Sequence, residues 1–136
     1  MRTLKVIVSK ANSGVSAHLP EIPGYVIARD SVAKLKKDLR EGLQFHIEGL
    51  YDEERQPWMD NEYDLEYVYH DIPSLVEAYN GFINQSSLAR ISGINEGLMR
   101  QYVSGVKTPT KKTLERIEAG LKEYADELHS VSFDYA

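Results

Sequence analysis

The chain has 136 residues, enough for one ordinary domain or two small ones. Its 42% hydrophobic and 27% charged residues are the composition of a folded soluble protein, and no apolar run approaches the ~18 residues that span a bilayer. Cysteine is absent, which excludes disulfides and thiolate-bound metal and fits a cytoplasmic protein, while the net charge of −5 argues against a nucleic-acid binder only until it is divided along the chain.

Met1-Arg2-Thr3-Leu4-Lys5 runs directly into alternating sequence, so no signal peptide is expected. Leu4, Val6 and Val8 alternate with polar residues and predict a first strand over Leu4–Lys10. Gly14 opens a second alternation through Val15, Ala17 and Leu19, closed by the turn chemistry of Pro20-Glu21-Ile22-Pro23-Gly24. Tyr25–Ala28 reads as a third short strand, after which Asp30 or Ser31 can cap a helix. In that helix Val32, Leu35, Leu39, Leu43, Ile47 and Leu50 recur at three- and four-residue steps and form one apolar stripe. Residues 51–62 form a polar loop, and Tyr63–Tyr69 alternate again as a strand. The order β-β-β-α-β predicts a small sheet with one covered face.

At Asp71-Ile72-Pro73-Ser74 the period changes, and it stays helical to Leu128 with breaks at Gly93, Gly105 and Pro109. The expected fold class is therefore α+β, with a sheet domain over 1–70 and an all-α domain over 71–136. Charge divides in the same way. Residues 41–71 hold ten acids against the single base Arg55, a balance of −9, and residues 84–112 hold five bases against Glu96, a balance of +4. Salt screens charges beyond roughly 8–10 Å, so the local balance matters to a phosphate-binding surface more than the total does.

Residues 85–105 carry the most specific pattern. Two helices crossing steeply need a small residue at the crossing, here Ala89, and a residue that tolerates a left-handed turn, here Gly93. Leu88, Ile94, Met99 and Tyr102 have the spacing of shared core anchors, and Ser104-Gly105 ends the second helix. The set Gln85, Leu88-Ala89, Gly93-Ile94-Asn95, Ser104-Gly105, Lys107 and Pro109 resembles the helix-turn-helix of phage-repressor-like bacterial regulators, over roughly residues 74–128. The resemblance implies that the second helix enters the major groove of operator DNA, with Asn95, Glu96, Gly97, Arg100, Gln101 and Ser104 toward the bases. Gln85, Ser87, Lys107, Lys111 and Lys112 would then hold phosphates. Gly97 departs from a good helix former and costs roughly 1 kcal/mol relative to Ala. DNA reading by this motif uses two copies on a two-fold site, so a homodimer or higher is expected, with Leu114, Ile117, Leu121, Tyr124 and Leu128 as a face that either pairs two copies or closes the domain's own core.

The first module, with its alternating strand, its Ala17–Gly24 turn and its helix opened by Asp30-Ser31, resembles the HicB-type antitoxins of HicA–HicB toxin–antitoxin systems. In that family a degraded ribonuclease-H-like sheet is commonly followed by a helix-turn-helix, the order expected here. The resemblance implies a partner, a small basic mRNA-cleaving toxin whose active site the first domain covers, while the second domain represses the operon. The segment Tyr25–Asp30 and the long 51–62 loop depart from the usual pattern. In that loop Asp52, Glu53, Glu54 and Asp60, with Trp58 and Met59 as apolar anchors, are the candidate toxin-binding residues. An acidic loop that is merely solvated, with Trp58 folded back onto the sheet, is the competing reading.

No catalysis is expected from the chain itself. Two-metal phosphoryl chemistry needs carboxylates on strand ends, and the first three strands contain none. His18, His46, His70 and His129 are scattered without ligand spacing, so no metal or cofactor is expected. Besides the antitoxin reading, a stand-alone regulator whose sheet binds a ligand or mediates oligomerisation stays open, as does, more remotely, a nuclease.

Overall fold

A computed structural model describes residues 1–60 and 62–135; Asn61, within the loop expected over 51–62, and Ala136, at the end of the tail, lie outside them. The elements run β1 (Arg2–Lys10), β2 (Val15–His18), β3 (Val26–Arg29), α1 (Val32–Glu48), a 3-10 turn (Pro57–Asp60), β4 (Tyr63–Tyr69), α2 (Ile72–Ala78), α3 (Gln85–Ser92), α4 (Glu96–Ser104) and α5 (Lys111–His129). The fold is α+β, as the sequence predicts, and it divides into two compact units, Met1–Tyr79 and Asn80–Ala136.

The first unit is a mixed four-stranded sheet in the order β3-β2-β1-β4. β1, β2 and β3 form antiparallel pairs, and β4 lies parallel to β1 from Arg2↔Tyr63 to Val8↔Tyr69. A parallel pair cannot be closed by a tight turn, which is why α1 and the 3-10 turn intervene between β3 and β4. Gly14 makes the β1–β2 connection possible: its φ is +80°, and a Cβ there would lie 2.2 Å from the Arg29 carbonyl oxygen. Leu4, Val6 and Val8 of β1 are buried together with Val32, Leu35, Leu39, Leu43 and Ile47 of α1 in one core. Each such side chain contributes roughly 1.5–3 kcal/mol. Of the two candidate caps it is Ser31 that acts, accepting from the Lys34 N–H at 3.2 Å. Leu50 lies past the helix end, half-buried against the same core.

The division between units falls after Tyr79 rather than after His70. Helical spacing begins at Ile72 as expected, but α2 lies against β1, β2 and β4. Asp71 caps α2 in a reciprocal box with Ser74, and the Tyr69 hydroxyl donates to the Tyr79 hydroxyl at 3.0 Å, tying the end of α2 to β4. Periodicity reports how a segment is wound; it does not report which core buries its apolar face.

In the second unit Asn84 caps α3 with Ser87 as its reciprocal partner, Asn95 caps α4 and Thr110 caps α5. Gly93 and Gly105 end α3 and α4 in the left-handed region, at φ +65° and +81°. Leu88, Ile94, Met99 and Tyr102 are buried, as their spacing predicts, Ala89 is buried at the expected crossing, and Ile117 of α5 is buried with them. α5 crosses α3 at close range at Gly120, where a Cβ would lie 2.3 Å from the Ile91 carbonyl oxygen.

Candidate nucleic-acid interface and acidic groove

The turn from Gly93 to Asn95 fixes how α4 leaves α3. The Ile94 N–H donates to the Ala89 carbonyl at 3.0 Å, and the Asn95 side-chain oxygen accepts from the Leu98 N–H at 3.2 Å. Arg116, a residue to which the sequence reading assigned no role, reaches from α5 to donate to the carbonyls of Ser92 and Gly93. A cation at the negative end of α3 holds the turn from outside, and a sequence pattern could not reveal it because the contact exists only through the α3–α5 crossing.

With Met99 and Tyr102 facing inward, helical period places Arg100, Gln101 and Ser104 on the opposite side of α4, with Glu96 at its flank; all four are exposed. Lys107, Lys111 and Lys112 are exposed as well. The Lys107 N–H donates to the Gln101 carbonyl at 3.1 Å, so the loop after α4 folds back onto its last turn. The backbone of Lys107 is thereby held beside that of Gln101, next to the exposed residues of α4. Three of the expected contacts are already engaged. The Ser87 hydroxyl donates to the Asn84 carbonyl and accepts from the Asn84 N–H, so it serves the helix cap rather than standing free for phosphate. Ser104 donates back to the Gln101 carbonyl. Glu96 accepts from the Ser86 hydroxyl at 2.6 Å, a link across the two helices that spacing did not suggest. Gln85 is half-buried at the start of α3. Gly97 has a local reason: a Cβ there would sit 3.1 Å from the Asn95 capping oxygen.

The first unit carries an acidic surface, but not with the anchors expected. Asp52, Glu53, Glu54 and Asp60 are exposed. Met59 is 4% exposed and belongs to the core, so it is not available as an anchor. Trp58 is half-buried against that core with the Arg2 guanidinium 4.4 Å above its ring; it folds back onto the sheet. Arg55 pairs with Asp60 and donates to the Ile47 carbonyl, which closes the 51–60 loop onto the end of α1. Exposed aromatics of this unit are instead Tyr51, at the start of the loop, and Phe45 on α1, 79% accessible, which the helical stripe placed off the core; neither carried a role at the sequence level. Phe45 lines an open groove of about 1010 Å³ together with Glu41, Glu48, Asp60, Glu62 and Asp64, with the bases Lys37 and Arg40 in the same lining.

Ionisation in this unit follows burial and pairing. Burial raises the hydroxyl pKa of Tyr25, Tyr63, Tyr67 and Tyr69 above the ordinary 10.0. The hydrogen bond from Arg29, 2.9 Å away, holds the Asp38 carboxyl below its ordinary value. Among the described residues no three His, Asp or Glu side chains converge as a cation site requires, and no helix is long and apolar enough to cross a membrane.

Fold and surfaces together define a chain that joins a sheet unit with an acidic groove to a helix–turn–helix unit with exposed bases. No protein-family model matches it, and no solved structure matches it. Among curated proteins it is 28% identical over 51 residues to an uncharacterized 14.9 kDa protein in the rep-hol intergenic region of Haemophilus phage HP1 (strain HP1c1). That match covers 38% of this chain and 38% of the phage protein's length. The phage protein is itself uncharacterized, so the likeness transfers no activity.

Proposed function

We propose that this chain is a HicB-type antitoxin: its first unit neutralises a small basic mRNA-cleaving toxin, and its second unit represses the operon by binding promoter DNA. The observation that carries the DNA half is the outward side of α4, where Arg100 and Gln101 stand exposed beside Lys107 while Met99 and Tyr102 anchor the helix from behind. Arg100 has the donor geometry for guanine and Gln101 that for adenine, with Lys107, Lys111 and Lys112 on phosphates. Two copies act on a two-fold operator. The toxin half is supported by the charge of the first unit, whose groove and neighbouring loop attract a cationic, RNA-binding protein. The protein is not itself an enzyme, requires no cofactor and works in the cytoplasm, where promoter and messenger are found.

The decisive experiment is affinity purification of the tagged chain expressed from its native operon, with bound proteins identified by mass. A basic partner well under ~100 residues long, toxic alone and silenced by the first unit, is the expected recovery. Recovery of the chain alone, still protecting its promoter from nuclease, would leave a stand-alone regulator and end the neutralisation reading.

A further inference from the structure

The second half of α5 leaves the buried core of its unit. The first turns of the helix pack on α3 through Ile117 and Gly120, but Leu121 is only half-buried, and every described residue from Lys122 to Tyr135 is exposed. A helix segment of so few turns is marginal in water without packing. Its apolar residues are nevertheless ordered along one line. Leu114, Ile117, Leu121, Tyr124, Leu128 and Val131 alternate at steps of three and four, the heptad of a two-helix seam. The Val131 N–H still donates to the Leu128 carbonyl at 3.1 Å, so the line continues just past the helix end.

We infer that this half of α5, with the segment that follows it, is the surface on which a second copy of the chain docks. The stripe is narrow, two positions in seven, which suits another helix of the same kind rather than a broad core. Flanking the uncovered part are Ala125, Ser132 and Glu127, small residues with a single charge, so two copies approach closely without opposing rows of like charge. The accessible area reaches the low end of a specific interface. On the line Tyr124 is 46% exposed and Leu128 53%, and in the tail that follows Phe133 is 75% and Tyr135 94% exposed; with Leu121 and Val131, helix and tail together offer on the order of 600 Å² per copy, against the roughly 800 Å² a side of a standard interface. The inference gives a surface to the two-copy part of the proposed function and does not depend on DNA binding.

Light scattering on the full chain without DNA tests it. At about 100 µM the expected mass is twice 15.5 kDa. The double variant Tyr124→Glu/Leu128→Glu, altered only at exposed positions, is expected at the mass of one copy, with the dissociation constant raised at least ~100-fold. Phe82→Ser, at an exposed apolar residue outside α5, is expected to leave the dimer intact. A wild-type chain of single-copy mass, or a double variant that remains paired, overturns the inference. Loss of promoter binding in a chain that still pairs would instead count against the DNA reading alone.

Discussion

Two glycines on helices of the second unit tolerate a side chain to different degrees because their surroundings differ. Gly120 faces a backbone carbonyl 2.3 Å from where a Cβ would stand, and a carbonyl inside α3 cannot step aside. Gly120→Ala is therefore expected to cost more than about 2 kcal/mol, read as a lowered midpoint in urea, although Ala alone would add about 1 kcal/mol of helix propensity. At Gly97 the neighbour is a side-chain oxygen at 3.1 Å, free to shift by a few tenths of an ångström. Propensity gained and cap geometry lost there are both of about 1 kcal/mol, and Gly97→Ala should leave the midpoint nearly unchanged. Arg100 belongs to the same scale. Arg100→Ala is expected to weaken promoter binding by about 1–3 kcal/mol and to relax preference at one base pair, with no change in thermal midpoint, since the side chain is exposed. An unchanged footprint in a gel-shift series would remove it from the reading head.

At the level of elements, caps and stripes decide which segments are rigid. Asn84 and Asn95 each hold an N–H of the helix they open, at 2.8 and 3.2 Å. Asn95→Ala should cost about 1 kcal/mol and, by loosening the start of α4, should reduce DNA affinity more than its stability loss explains. Parallel chemical denaturation and binding isotherms separate the two effects. In the first unit Leu39 lies fully buried on the α1 stripe, and its backbone carbonyl also accepts the Tyr25 hydroxyl at 2.9 Å. Leu39→Ala is expected to cost about 2–5 kcal/mol in the unfolding of that unit.

Across the whole molecule, two cores imply two unfolding units. Calorimetry of Leu39→Ala should show the melting of the sheet unit displaced, with the helical unit following its own curve. Alkali offers an independent view of the sheet unit. Tyr25, Tyr63, Tyr67 and Tyr69 have hydroxyl pKa values raised in the folded state above the ordinary 10.0. The stabilisation that keeps them neutral is complete below pH 10 and is lost as pH climbs through their folded values, so the unit should unfold in alkali with these tyrosines ionising late. Ultraviolet titration of phenolate checks this: smooth ionisation of all nine tyrosines near pH 10 would contradict it. The Arg29–Asp38 pair acts in the other direction. With its folded pKa depressed, Asp38 contributes above its unfolded value, and that contribution disappears as pH falls through the folded one.

Local pattern alone determined the α+β class, the order of strands and helices, the small crossing residue Ala89 and the inner anchors of the helix–turn–helix, Leu88, Ile94, Met99 and Tyr102. Each of these follows from the period of burial or from a backbone angle that glycine alone adopts freely, and both are properties of a few neighbouring residues. Tertiary structure decided what lies between distant segments. It assigned α2 to the sheet, turned Met59 inward and Trp58 beneath Arg2, left Phe45 exposed above an acidic groove, and set Arg116 against the carbonyls that end α3. It also left the far half of α5 uncovered. An apolar residue at helical spacing announces that some surface is to be buried, but which surface meets it depends on where the rest of the chain, or a second copy of it, comes to lie.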